Sequence, residues 1–215
     1  VPKSTVPSEE YVTTSPYQPG EWARDVAEEM PGSREFGELV ETFRELQSAL
    51  CAAAPSVELM AQLNRQFRDA TERLTEFRVP ELERYPRRPD LTGRGHPVLI
   101  PYTVQELRDR TMVAVVEFTD AQLGGNGAVH GGTIPLLFDD LLGIFVSIKG
   151  QPGSRTAFLK VNYRKITPIH RKLRVEASID RIDGRKTWIT GRLLDGDELL
   201  ADAEALFLRL LPGQP

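Results

Sequence analysis

Residues 126–143 read NGAVHGGTIPLLFDDLLG, a glycine-flanked histidine leading into an apolar run that Asp139 and Asp140 interrupt. Up to residue 148 the run carries Ile134, Leu136, Leu137, Leu141, Leu142, Ile144, Phe145 and Ile148, which makes a helix apolar on nearly every side. Such a helix has to be covered by the rest of the chain. The cover lies downstream: 156–163, 173–179, 187–194 and 199–210 read as strands, with Asp183-Gly184 and Asp195-Gly196 as tight-turn signals. Residues 173–179 alternate Leu173, Val175, Ala177 and Ile179 against Arg174, Glu176 and Ser178. Residues 156–163 place Ala157, Leu159, Val161 and Tyr163 on one side. Upstream, 112–118 (MVAVVEF) is the candidate first strand. A doubly wound fold needs a helix between most strand pairs, and only one helix is available here. The expected class is therefore α+β, an antiparallel sheet wrapped around one central helix, over residues 102–212.

Outward from that unit the period changes. Residues 81–101 form a Pro/Arg-rich linker whose Arg84, Arg87, Arg88 and Arg94 read as solvated rather than phosphate-binding. Residues 21–80 form a helical extension. Ser33 is placed to cap a helix to about residue 53, with Phe36, Leu39, Val40, Phe43, Leu46 and Leu50 on one face. Ser56 is placed to cap a second, carrying Leu59, Leu63, Phe67, Ala70, Leu74 and Phe77. The two read as a helical hairpin too small to be stable alone, expected to pack on the sheet or on a neighbouring subunit. Residues 1–20, rich in Pro, Ser and Thr, read as a flexible tail that Tyr11 and Tyr17 could pin to a surface.

Composition narrows the function. A net charge of −4 and the lack of a basic recognition helix argue against nucleic acid. The longest apolar stretch carries both aspartates and is too short to span a membrane, and no signal peptide is visible, so a cytoplasmic protein is expected. The single Cys51 excludes an intrachain disulfide and reads as a helix-packing residue rather than a nucleophile. His96, His130 and His170 are widely spaced and show no metal-ligand pattern.

The aspartates carry the chemistry. An ionised carboxylate among apolar neighbours is costly unless donors surround it, so at least one should be enclosed and functional. Gly132, Pro135, Asp139 and Gly143 share one helical stripe of small residues, a groove that a slender ligand can approach. Asp140 shares its stripe with Leu136, Leu137 and Ile144 and reads as structural or as an interface residue. Asp139 is thus the candidate for chemistry. Where the helix begins, His130-Gly131-Gly132 offers free backbone N–H groups that a carbonyl oxygen can approach closely. An oxyanion hole one to two turns from a carboxylate that can activate water is the equipment of a hydrolase. His130 itself has two readings, a turn residue bonding the loop backbone or a direct participant.

The segment G-A-V-H-G-G-T-I-P-L-L-F-D resembles the hotdog-fold acyl-CoA thioesterases of the phenylacetate-pathway (PaaI-like) group, with their G-x-x-H-G-G and an aspartate nine residues after the histidine. The strand series that follows, including a strand opened by Thr156 and ending in Tyr163, is similar to that group over residues 102–211. The resemblance implies a hotdog fold and hydrolysis of an acyl-CoA thioester to a carboxylic acid and CoA. It implies Asp139 as general base or nucleophile, the Gly131 amide polarising the carbonyl, His130 orienting the loop, and Thr156 positioning water or the carboxylate. Substrate contacts fall to Asn126, Gly132 and Gly143. No cofactor is expected, CoA being part of the substrate. Sites of the group lie at a dimer interface, so a homodimer or homotetramer is implied, with Asp139 and Thr156 from different subunits. Many members carry asparagine six residues before the histidine, where this chain has Gly124, with Asn126 nearby. A non-catalytic acyl-CoA sensor on the same fold is the alternative.

Overall fold

The computed structural model describes residues 32–80, 83–85, 91–211 and 213. The expected tail over residues 1–20, with Tyr11 and Tyr17, lies outside the described residues, as do Arg87 and Arg88.

The central helix forms as its sequence dictates. Here called α3, it runs Thr133–Lys149 and buries Ile134, Leu137, Phe138, Asp140, Leu141, Leu142, Phe145 and Val146. Six strands make one antiparallel sheet against it: β1 (Tyr102–Leu107), β2 (Thr111–Glu117), β5 (Ser154–Tyr163), β6 (Lys172–Asp183), β7 (Lys186–Asp195) and β8 (Glu198–Arg209). They lie in the order β1-β2-β6-β7-β8-β5, and all pairs are antiparallel. A separate two-stranded ribbon, β3 (Leu123–Gly125) and β4 (Ala128–Val129), precedes the helix.

Close approach of helix and sheet depends on one glycine. A Cβ at Gly191 in β7 would stand 2.8 Å from two carbons of the Phe138 ring. Phe138 therefore rests on bare backbone, and the helix sits closer than a side chain there would permit. Val175, Leu173, Ile189, Leu193, Ala201 and Ala203 complete the layer beneath it.

Three features depart from the periodicity reading. The strand β1 precedes the expected first strand; its residues are nearly all exposed, so it shows no buried alternation to read. The ribbon of β3 and β4 is too short to produce a period. Most consequential, β5 carries a bulge: Thr156 pairs with Phe207, but Phe158 pairs with Leu206, leaving Ala157 as the extra residue. Ala157 is exposed, whereas Leu159 and Val161 pack against the core. Strand parity changes at the bulge, and the face assigned to Ala157 belongs to Thr156.

The extension forms α1 (Ser33–Ala52) and α2 (Val57–Thr75). Gly32, at φ 84°, rather than Ser33, occupies the N-cap of α1. Ser56 caps α2 as expected, its side chain accepting the Leu59 N–H at 3.3 Å. The pair does not close on itself along its length. Helix α1 packs on the turn at Asp120–Gln122 and on the loop Thr92–Gly95, burying Val40, while α2 buries no residue. Leu39, Phe43, Leu46 and Leu50 of α1 and Met60, Phe67 and Leu74 of α2 stay exposed within one chain. Cys51 is exposed as well, which removes the packing role expected of it.

Candidate functional site

Asp139 and Asp140 are adjacent in sequence and opposite in environment. Asp139 is exposed, and Thr156 Oγ1 donates to its Oδ1 at 2.8 Å. That bond exists because the bulge in β5 turns Thr156 toward α3. It joins two residues of one chain, where the resemblance had implied residues from two subunits. Asp140 is the enclosed carboxylate, 7% exposed. Its Oδ1 accepts from Arg94 Nη2 and its Oδ2 from the Tyr102 hydroxyl at 3.3 Å. Burial pushes the Asp140 carboxyl above the usual range, against the downward pull of Arg94 and Tyr102. The Tyr102 hydroxyl is pushed up for the same reason, with the Asp140 charge adding to it.

Arg94 is not the solvated linker residue that its surroundings predicted. Gly93, Arg94 and Gly95 all adopt left-handed backbone conformations, with φ of 55°, 54° and 61°. The two glycines tolerate this freely; Arg94 is held there by its bond to Asp140. The same loop is tied to α1, since Arg44 Nη2 donates to the His96 carbonyl at 2.9 Å.

At the start of α3 the glycine turn is fixed from several sides. The His130 N–H donates to the Gln122 carbonyl at 2.8 Å, and the Thr133 N–H to the His130 carbonyl at 2.9 Å. The Gly132 N–H donates to His130 Nδ1 at 3.1 Å. This is the bond that the turn-residue reading of His130 describes, and it places the proton of the neutral ring on Nε2. The Tyr163 hydroxyl donates to the Gly131 carbonyl at 2.7 Å. Among the described residues the Gly131 N–H has no acceptor. Of the two glycine amides, only that of Gly131 is available to a ligand.

The remaining candidates have local tasks. Asn126, at φ 52°, and Gly127, at φ 73°, form the tip of the β3–β4 ribbon. The Asn126 residue is exposed there, at a position that asparagine tolerates better than most residues. Gly143 packs on Phe207, whose ring carbon would lie 3.5 Å from a Cβ there. Gly124 has a reason of its own: a Cβ would stand 2.7 Å from the His130 Cα and 3.0 Å from its nitrogen. The ribbon crosses the histidine backbone too closely for any side chain at 124, asparagine included.

A cleft of about 480 Å³ opens between α1, residues 97–101 and the turn before β3, lined in part by Arg44, Ser48, Val98, Glu117 and Gln122. Its lining contains neither Asp139 nor Thr156. Sequence reasoning passed over Tyr163, Tyr102 and Arg94 as partners. The Gly-Arg-Gly triplet at 93–95 was the available signal for the last.

Residues 126–201 match the family model described as the thioesterase superfamily. The sheet-wrapped helix is a hotdog fold, and the segment that contains the helix and its glycine turn is similar to the thioesterase superfamily. Acyl-coenzyme A thioesterase THEM4 of Mus musculus is 33% identical over 94 residues, 43% of this chain and 40% of that protein. The THEM4 of Xenopus laevis is 29% identical over 131 residues, 60% of this chain and 57% of that protein. The chain thus spans about half the length, or less, of these relatives. A solved thioesterase superfamily protein superposes with a TM-score of 0.70 at 23% identity, covering 80% of this chain and 94% of that one. Coverage that wide takes in residues beyond the hotdog half, so the shared fold extends into the N-terminal part.

Proposed function

We propose that the protein hydrolyses an acyl-CoA thioester to a carboxylic acid and CoA. The observation that carries this reading is the Thr156–Asp139 hydrogen bond of 2.8 Å, with the unpaired Gly131 amide just before the start of the same helix. With Oδ1 of Asp139 held by Thr156, Oδ2 is left to take a proton from water. The water oxygen attacks the thioester carbonyl carbon, and the developing oxyanion accepts the Gly131 N–H. Collapse of the tetrahedral species breaks the carbon–sulfur bond, and the CoA sulfur leaves with the proton Asp139 had taken. No step calls for a cofactor. The match to the thioesterase superfamily and the names of the THEM4 relatives support the reaction class.

The test is turnover of a panel of acyl-CoA thioesters by wild type and Asp139→Ala. A loss of about 10²–10⁴ in kcat is expected of a general base. Equal rates would remove Asp139 from the mechanism. Wild type that binds these esters tightly without turning any over would instead establish a non-catalytic acyl-CoA sensor.

A homodimer is part of the proposal. Strand β5 bonds only β8 and lies at the sheet edge, with Phe158 45% exposed and Tyr163 54% exposed. An open edge that long is a template for pairing with a second copy. Sedimentation of a monomer at micromolar concentration would count against it. A reducing compartment such as the cytoplasm suits the exposed, unpaired Cys51. Among the described residues, no helix is long and apolar enough to cross a membrane.

A further inference from the structure

One strand touches both halves of the site. From β5, Thr156 bonds the Asp139 carboxylate at 2.8 Å, and Tyr163 bonds the Gly131 carbonyl at 2.7 Å. The two residues are seven positions apart, an odd number, and a regular strand would point them to opposite faces. The bulge at Ala157 reverses the parity, so both hydroxyls reach the α3 side. Moving either residue, or straightening the strand, would separate the two contacts.

The Tyr163 contact falls on the part of the site with least intrinsic rigidity. Gly131 and Gly132 have no side chains, so their peptide planes reorient at little cost unless they are held. Holding is what an oxyanion donor requires, because its contribution comes from being aimed before the charge develops. Three bonds already fix the turn on its helix side and at His130: Thr133 N–H to the His130 carbonyl, Gly132 N–H to His130 Nδ1, and His130 N–H to the Gln122 carbonyl. The Gly131 carbonyl is fixed from the sheet by Tyr163. With it bonded, the Gly131–Gly132 peptide is held, which limits how far the adjoining His130–Gly131 peptide, carrying the Gly131 N–H, can swing about the Gly131 Cα. Tyr163 does not itself face the reacting carbonyl through its donated proton, which the Gly131 oxygen uses.

We infer that Tyr163 is a positioning residue for the hydrolysis, acting through the glycine turn to aim the Gly131 amide, and that the bulge at Ala157 lets one strand align both the base and the oxyanion donor. The inference rests on the thioesterase reading above.

The experiment compares wild type and Tyr163→Phe on an acyl-CoA that wild type turns over, and on a non-hydrolysable CoA thioether analogue. Phenylalanine keeps the ring and removes only the hydroxyl. The expected result is a fall in kcat of about tenfold or more, a part of what losing an oxyanion donor outright costs. Analogue affinity should stay within about twofold, because the bond matters when charge develops rather than when substrate binds. A kcat within about twofold of wild type overturns the inference and leaves the thioesterase reading standing. Analogue affinity lost in parallel with kcat overturns it as well, showing general damage to the site. A wild type that hydrolyses no thioester overturns the underlying reading, and the inference with it. Faster exchange of the bonded Gly132 amide in Tyr163→Phe is the accompanying structural readout, and unchanged exchange there also overturns the inference.

Discussion

Thr156 Oγ1 and Asp139 Oδ1 stand 2.8 Å apart, a strand hydroxyl bonded to an exposed helix carboxylate. The bond orients the carboxylate and uses one of its two oxygens. Thr156→Ser keeps the donor and should keep most of the activity, whereas Thr156→Ala frees the carboxylate to rotate. We expect kcat/KM to fall by about tenfold in the alanine variant and by less than about threefold in the serine variant, a difference of about 1.4 kcal/mol in transition-state stabilisation for the former. Steady-state kinetics on one good acyl-CoA substrate will decide it; equal losses in both variants would mean that the methyl group, not the hydroxyl, matters.

Gly124 stands at the position where the resemblance to the PaaI-like group implied asparagine. Placing asparagine there should harm the protein, because the new Cβ would meet the His130 backbone at 2.7 Å. Backbone cannot swing aside as a side chain tip can. Gly124→Asn is expected to destabilise the fold by about 1–3 kcal/mol and to lower kcat through a displaced glycine turn. Thermal denaturation alongside activity is the check, and a variant more active than wild type would contradict it.

Arg94 faces a carboxylate that is almost sealed from water, with side chains 29% and 3% exposed. Arg94→Met leaves Asp140 buried without its cation and should cost about 3 kcal/mol at neutral pH, the lower end for a broken buried pair because Arg94 is partly solvated. The pH dependence has a definite sign. The folded Asp140 carboxyl is already raised above its unfolded value, so its contribution to stability is fully present below the unfolded value and is lost as pH rises through the folded one. Removing Arg94 raises the folded value further and widens that window. Urea denaturation across pH 4–8 (about the useful range for a carboxyl,) should show the variant's deficit shrinking toward acid; a pH-independent deficit would show that Asp140 does not cause it.

Gly191 lets Phe138 lie on bare strand backbone. Gly191→Ala inserts a methyl group 2.8 Å from two ring carbons in the centre of the core. The helix has to lift or the ring to leave its rotamer, for a cost of about 1–3 kcal/mol. Because Asp139 follows Phe138 directly, activity should fall more than stability alone explains, measured as kcat well below the unfolding transition.

Much of this molecule was legible in the order of its residues. An apolar run too greasy for any surface helix and strands of alternating character after it leave few architectures, since each apolar face must find a cover. The glycine turn and the two aspartates were visible for the same reason: their chemistry conflicts with their surroundings. The conflict did not say which aspartate resolves it in which way. Burial suggested function, yet the buried Asp140 is occupied by Arg94 and Tyr102, and the residue on the small-side-chain stripe is exposed.

What the sequence determined by itself was local and periodic: an apolar helix expected over 128–148 and found at 133–149, alternating strands, and two helices before them, the second capped by Ser56. Only the tertiary structure decided the pairings. Arg94 reaches Asp140 across 46 positions, and a one-residue bulge turns Thr156 to the face it shares with Tyr163. Periodicity assumes a regular strand, and a single extra residue inverts every side chain beyond it. Contacts between distant segments depend on register and close approach, which no local window of sequence contains.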